Sequence, residues 1–543
     1  MMKKNKFIAA AGIFSAFLFS CATVKDPEDV FSDIDYTQED ARRAEAGRIT
    51  SLMEDNSVQS LWRAYLLGDE DIFSQCLDKV VAEFNKCIED EDYFNAKRLY
   101  TSLENVSYKG LSSLSKSKEE LDSLHNAKVP GLSSSPSKSL AKKVSELIDG
   151  TVTIWVDKGI KVENGMGYAD RVIGSGFFIS KDGYIITNNH VIEDVVDSKS
   201  SAYSKLYIKV GKDTDTKIPA KVIGWDSEID LALIKTEVEA PYVFNLGSSS
   251  DLEVGDKVYV IGSPVGLERT LTSGIVSAVD RKLFSLGSVM QIDAAVNSGN
   301  SGGPCIDENG NVQAVVFAGM LQYEGLNFAI PVEYLKSLLP SLYAGGKISH
   351  PWLGCYGHTK KELGKNSGLE IQYILPGGSA SRAKLRSGDV ITEFDGQKID
   401  SLEEMQSVMM KNPAKSIMKL KYRRGDDEKE LEETLYLAVR PESPGYVIYK
   451  SDLFANSAYP IFGMKLTPVS TVSSKKYSVE KIIKGSVADE YGFSENDPLE
   501  IASLKLNDEK TALYVELHSK NRKKGYLDIN MAFASALDSP YYF

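Results

Sequence analysis

A serine in a glycine-flanked turn, a histidine and an aspartate, in the chain order His, Asp, Ser, are the residues of this sequence best suited to chemistry. Ser301 sits in Asn297-Ser298-Gly299-Asn300-Ser301-Gly302-Gly303-Pro304, directly after an apolar run. Glycines there permit positive φ and close approach, which expose a hydroxyl and aim backbone N–H groups at an oxyanion. A serine hydroxyl is a poor nucleophile without an adjacent base. His190, in Thr187-Asn188-Asn189-His190-Val191-Ile192, is the only histidine between residues 126 and 349. Its near-neutral titration suits it to take the serine proton and return it to a leaving amine. Asp230 opens the alternating run Leu231-Ala232-Leu233-Ile234 and is preferred to Asp226, the competing carboxylate, as the group that orients the imidazole. The N–H groups of Gly299 and Ser301 are the expected oxyanion hole, each donor contributing about 3 kcal/mol to the transition state.

The order His, Asp, Ser is that of the chymotrypsin-type double barrel, not of α/β-hydrolases or subtilisins. Six segments carry a more specific likeness: Gly174-Ser175-Gly176-Phe177, Thr-Asn-Asn-His-Val, Asp-Leu-Ala-Leu, Ile261-Gly262-Ser263-Pro264-Val265-Gly266, Thr272-Ser273-Gly274-Ile275-Val276-Ser277 and Asn327-Phe328-Ala329-Ile330-Pro331. With Gly-Asn-Ser-Gly-Gly-Pro they make the chain resemble the HtrA family of serine proteases and chaperones over about residues 146 to 440. The resemblance implies a trypsin-like protease that cleaves unfolded or damaged polypeptides, built on a trimeric homo-oligomer. Asn300 stands where digestive relatives carry the aspartate that pairs with a newly cleaved N-terminus, so that route to activation is absent. The implied alternative is allosteric, with a bound peptide or oligomer contacts ordering the loop around residues 264 to 290.

These residues need scaffolding, and 543 residues exceed one core; at roughly 150 residues per domain, three or four domains are expected. Residues 1–21 read as a signal: Lys3, Lys4 and Lys6 precede an apolar run too short to span a bilayer. It closes on Leu18-Phe19-Ser20-Cys21, which resembles a bacterial lipobox and makes Cys21 the expected lipidation site at a membrane surface; an uncleaved anchor or an ordinary signal is the alternative. Residues 22–110 show apolar positions at spacings of three and four, among them Leu61, Trp62, Cys76, Val80 and Phe84, and read as a helical domain weakly like one tetratricopeptide hairpin. Serines from 112 to 139 mark 111–145 as a flexible linker.

The short alternating strands of 146–345 fit the protease barrels. In 346–442, Trp352-Leu353-Gly354-Cys355, Gly377-Gly378-Ser379-Ala380 and Gly388-Asp389-Val390-Ile391 resemble a PDZ domain, an α+β unit, with Trp352, Leu353, Gly354 and Cys355 as the expected loop for peptides ending in a free, apolar C-terminus. The order recurs weakly in 445–543, as Phe462-Gly463-Met464, Gly485-Ser486-Val487-Ala488 and Asn496-Asp497-Pro498-Leu499, a degenerate second PDZ-like domain expected to bind weakly or not at all.

A net charge of −13 without a clustered basic face argues against nucleic acid as partner. The scattered cysteines Cys76, Cys87, Cys305 and Cys355 show neither a disulfide framework nor metal-ligand spacing, so no metal or cofactor is expected. Two rivals of other classes remain: a non-catalytic chaperone or peptide-binding scaffold, and a surface lipoprotein acting mainly through its helical domain.

Overall fold

A computed structural model describes residues 38–132, 144–163, 165–197, 203–211, 216–263, 270–283, 285–297, 299–319, 326–425, 429–469, 475–521, 525 and 527–543. Cys21 and the signal lie outside the described residues, as do residues 133–143 of the serine-rich stretch and 264–269 of the loop expected to be ordered allosterically.

Local capping chemistry delimits the N-terminal helices. Asn56 accepts from the Gln59 N–H to start Ser57–Leu67, which Gly68 ends in a left-handed turn at φ 66°. Asp69 and Asp92 cap Glu70–Glu89 and Tyr93–Asn105 in the same way. The next helix corrects the sequence reading. Ser117 and Glu120 form a reciprocal capping box on Lys118–Lys128, so this part of the expected linker is ordered, with Leu121 fully buried. Serine content misled because one of those serines is a cap.

The helical unit also shares its core with the first PDZ domain. Trp62, Phe84 and Leu99 belong to one buried cluster with Phe394, Ile417 and Tyr436. Its polar seam is as specific: the Trp62 indole N–H donates to the Thr434 carbonyl at 2.9 Å, and Asn105 donates to that of Ile417 at 2.8 Å. A sheet face needs a covering layer, and these helices supply it.

The protease region folds as two six-stranded rings. In the first, strand order runs Ile218–Asp226, Lys205–Lys209, Thr151–Glu163, Met166–Phe178, Tyr184–Thr187, Leu231–Thr236 and back to Ile218–Asp226. The second is a closed barrel of Pro304–Ile306, Val312–Gly319, Asn327–Pro331, Val289–Ile292, Thr270–Arg281 and Lys257–Gly262. Closure removes sheet edges, and the inward apolar residues form separate cores around Ile154 and Val260.

In the first PDZ domain the edge strand Cys355–Glu362 precedes the helix Leu402–Lys411, and a peptide groove is expected between them. The second has five strands, but between Pro498–Leu506 and Ala512–Asn521 only a short turn replaces that helix. Its turn at Asn496 has φ 65° where Gly388 has 96° in the first domain, a conformation asparagine tolerates. Residues 538–543 run from this second domain to the first: the Cys355 and Phe543 backbones are hydrogen bonded to each other while the Tyr542 hydroxyl still donates to the Pro460 carbonyl at 3.0 Å, so the assignment of 445–543 to one unit is corrected at its end.

Candidate active site

His190 lies in the first turn of the helix Asn189–Val196, just past the strand Tyr184–Thr187. That strand pairs antiparallel with Leu231–Thr236, Thr187 opposite Ala232, which carries Asp230 to the histidine. One Asp230 oxygen accepts from the His190 backbone N–H at 2.8 Å, and the other lies 2.7 Å from its ring Nδ1. Asp230 holds φ 61°, a conformation open to aspartate, and the Asn188 amide donates to its carbonyl at 2.8 Å. Burial disfavours a charged imidazole, but the Asp230 carboxylate outweighs it through charge and hydrogen bond, so the His190 pKa is raised above its ordinary value.

Asp226 has a different partner. It is fully buried and lies 2.8 Å from Nε2 of His350, itself 3% exposed, while also accepting from the Glu228 and Ile229 N–H groups. The structure thus separates the two candidate carboxylates: one on His190, one joining a strand of the first barrel to the segment entering the PDZ domain.

Ser301 comes from the second barrel, between the strands Val289–Ile292 and Pro304–Ile306. Its turn crosses to the first barrel through Ser175, whose N–H donates to the Ser301 carbonyl at 2.7 Å and whose hydroxyl donates to that of Gly299 at 2.6 Å. The Ser263 N–H donates to the Ser175 hydroxyl at 2.9 Å, closing the link. Gly302 has φ 84°, and a Cβ there would stand 2.2 Å from the Ser175 carbonyl oxygen. Only glycine fits. Gly299 holds φ 101°, and neither its N–H nor that of Ser301 has an acceptor among the described residues. The Ser301 hydroxyl donates to the Phe317 carbonyl at 3.2 Å, and no hydrogen bond joins it to His190. Ser175 and Phe317 were not foreseen as site residues; the only sequence signal was Ser175's place between two glycines.

The expected PDZ loop is split in its roles. Pro351–Trp352 pairs with Ala438–Val439 and Trp352 is buried, Leu353 is fully buried, and Gly354 has φ 79°. Cys355 begins the edge strand, and its backbone N–H and carbonyl both bond outward.

A trypsin-like peptidase domain family matches residues 174–315, a PDZ domain family 357–435, the TP0546 family PDZ domain 445–537 and a domain of unknown function 40–125. A probable periplasmic serine endoprotease, DegP-like, of Marinomonas sp. is 34% identical over 336 residues, covering 58% of this chain and 68% of that protein. The chain belongs to the HtrA family of DegP-like serine endoproteases. A second DegP-like member, from Halomonas elongata, is 34% identical over 277 residues, with 49% of this chain and 56% of the relative aligned. The HtrA-type protease AlgW solved with a decapeptide has 25% identity and a TM-score of 0.45, covering 55% of this chain and 98% of its own. The chain therefore spans between about half and two thirds of the curated HtrA relatives it matches, and the match to the domain of unknown function covers most of its helical unit.

Proposed function

We propose that the chain is a serine endopeptidase of the cell envelope that cleaves unfolded or damaged polypeptides through His190, Asp230 and Ser301. The observation that carries this reading is the two-point hold of Asp230 on His190, at its backbone N–H and its ring Nδ1. Anchoring Nδ1 leaves Nε2 as the proton acceptor. The Ser301 hydroxyl turns from the Phe317 carbonyl to His190, loses its proton to Nε2 and attacks the scissile carbonyl. Asp230 stabilises the imidazolium, and the Gly299 and Ser301 N–H groups receive the oxyanion. Imidazolium then protonates the leaving amine, and water repeats the sequence to free the acyl group.

The periplasmic description of the relatives supports an envelope location for this chain. Acylation of Cys21 would hold it at a membrane surface; Cys21→Ser should then abolish lipid labelling. Peptides at the first PDZ domain are the proposed regulators. The second PDZ domain, in which a turn stands between Pro498–Leu506 and Ala512–Asn521 where the first has Leu402–Lys411, is expected to bind weakly or not at all. Trimer-based assembly is proposed from the family and is tested by sizing the soluble region.

The deciding experiment is hydrolysis of unfolded casein by the wild type and by Ser301→Ala. Cleavage lost in the variant, with chaperone activity kept, supports the protease reading. Equal cleavage by both would replace it, and no cleavage by either would favour the non-catalytic scaffold.

A further inference from the structure

The edge strand of the first PDZ domain already carries a peptide, and the peptide belongs to the same chain. Tyr541, Tyr542 and Phe543, the last residues of the sequence, run antiparallel to Cys355–Glu362, with Tyr542 opposite Tyr356. The Cys355 N–H donates to the Phe543 carbonyl at 2.8 Å, the Phe543 N–H to that of Cys355 at 2.9 Å, and the Gly357 N–H to that of Tyr541 at 3.1 Å. This alternation is strand addition to an exposed edge, in which backbone bonds supply affinity and pockets for side chains supply selectivity. Phe543 is 2% exposed and belongs to the same buried cluster as Leu353, Met405 and Met409.

The occupant is tied down on both sides. From the helix facing it, Gln406 donates to the Pro540 carbonyl at 2.8 Å, and also to the Ser285 carbonyl of the second barrel at 3.3 Å. The same helix meets that barrel again through Glu403 and Lys282, 2.7 Å apart. Asp538 is paired with Arg440, which lies 2.9 Å from Glu228, two residues from Asp230. The Phe543 segment is therefore joined to both barrels that build the protease site.

We propose that residues 541–543 are an intramolecular ligand of the first PDZ domain, and that an added peptide must displace this segment and place an aromatic side chain in the Phe543 pocket to bind. The proposal rests on reading this domain as a peptide-binding module. A tethered ligand competes at an effective concentration in the millimolar range, and a groove free only part of the time binds an added peptide more weakly in proportion.

The test uses the full chain, the chain lacking Tyr541–Phe543, and Phe543→Asp, which keeps the buried Tyr542 but puts a charge in the apolar pocket. The probe is a fluorescent peptide of residues 536–543, Ala-Leu-Asp-Ser-Pro-Tyr-Tyr-Phe, with a second ending in alanine. Hydrogen exchange of the Cys355 and Gly357 amides is followed in parallel. The proposal expects the aromatic probe to bind both variants at least about tenfold more tightly than it binds the full chain, and more tightly than the alanine probe. Those amides should be protected in the full chain and regain protection in the variants only when the probe is added. Equal binding to all three proteins would overturn the tethered ligand while leaving peptide recognition standing. Binding to none, in variants shown to be folded by circular dichroism, would overturn both.

Discussion

Asp230 holds His190 at two atoms, its carboxylate oxygens lying 2.8 Å from the backbone N and 2.7 Å from the ring Nδ1, while Asp226, four residues earlier, lies 2.8 Å from the His350 Nε2. Two carboxylates four residues apart thus have separate tasks.

Their substitutions should separate accordingly. Asp230→Asn is expected to lower turnover by up to about 10⁴-fold with little loss of stability. Asp226→Asn should leave the pH–rate profile unchanged in shape but cost about 3–5 kcal/mol, because removing one partner strands a buried charge. Thermal melts and casein turnover on both variants check this; a crippled but stable Asp226→Asn would reverse the assignment.

The buried pair also predicts how stability varies with pH. The His350 pKa is raised, since its attraction to Asp226 overcomes burial, and that of Asp226 is lowered by the same partner against burial. The histidine's contribution is complete below about 6.5 and is lost as pH rises through its raised value. The aspartate's is complete above about 3.9 and is lost as pH falls through its lowered value. Melting temperature should therefore decline toward alkaline pH in the wild type and less so in His350→Gln.

Catalysis should fail on the acid side. His190 must be neutral to accept the serine proton, and its pKa is raised by Asp230. The acid limb of kcat/KM is then expected above about 6.5, the ordinary histidine value. In Asp230→Asn the limb should move down. A limb in the carboxylate range would exclude His190 as the base.

Ala295, six residues before Ser301, is exposed, and its carbonyl accepts from the Thr272 hydroxyl at 2.9 Å. It occupies the position that carries an aspartate in trypsin-like enzymes specific for basic residues, and burying a substrate charge without a partner is costly. Cuts after small or medium apolar residues are expected. Product mass spectrometry dominated by cuts after Lys or Arg would contradict it.

Trp62 is 1% exposed and bonded to Thr434 of the first PDZ domain, so Trp62→Ala should cost about 3–5 kcal/mol and destabilise that domain together with the helices. A single cooperative loss of both, seen by hydrogen exchange, is the expected result. Independent melting of the helices would show the shared core to be unimportant.

The candidate site was legible in the residues. Order along the chain picked out His190, Asp230 and Ser301 as candidates, and in the structure His190 follows a short strand, Asp230 directly precedes another and Gly302 has no room for a Cβ beside Ser175. Hydrophobic periodicity found helices at Ser57–Leu67 and Glu70–Glu89 because each buries one face. What lay beyond reach were pairings between residues more than a hundred positions apart. Asp226 meets His350, Trp62 meets Thr434 and Cys355 meets Phe543 only because folded sheets bring their edges and faces together. Composition cannot tell a linker serine from the Ser117 helix cap, and it cannot reveal which edge a terminal strand will join. Those outcomes depend on which surfaces remain uncovered once the barrels and PDZ sheets have formed, and only tertiary structure decides that.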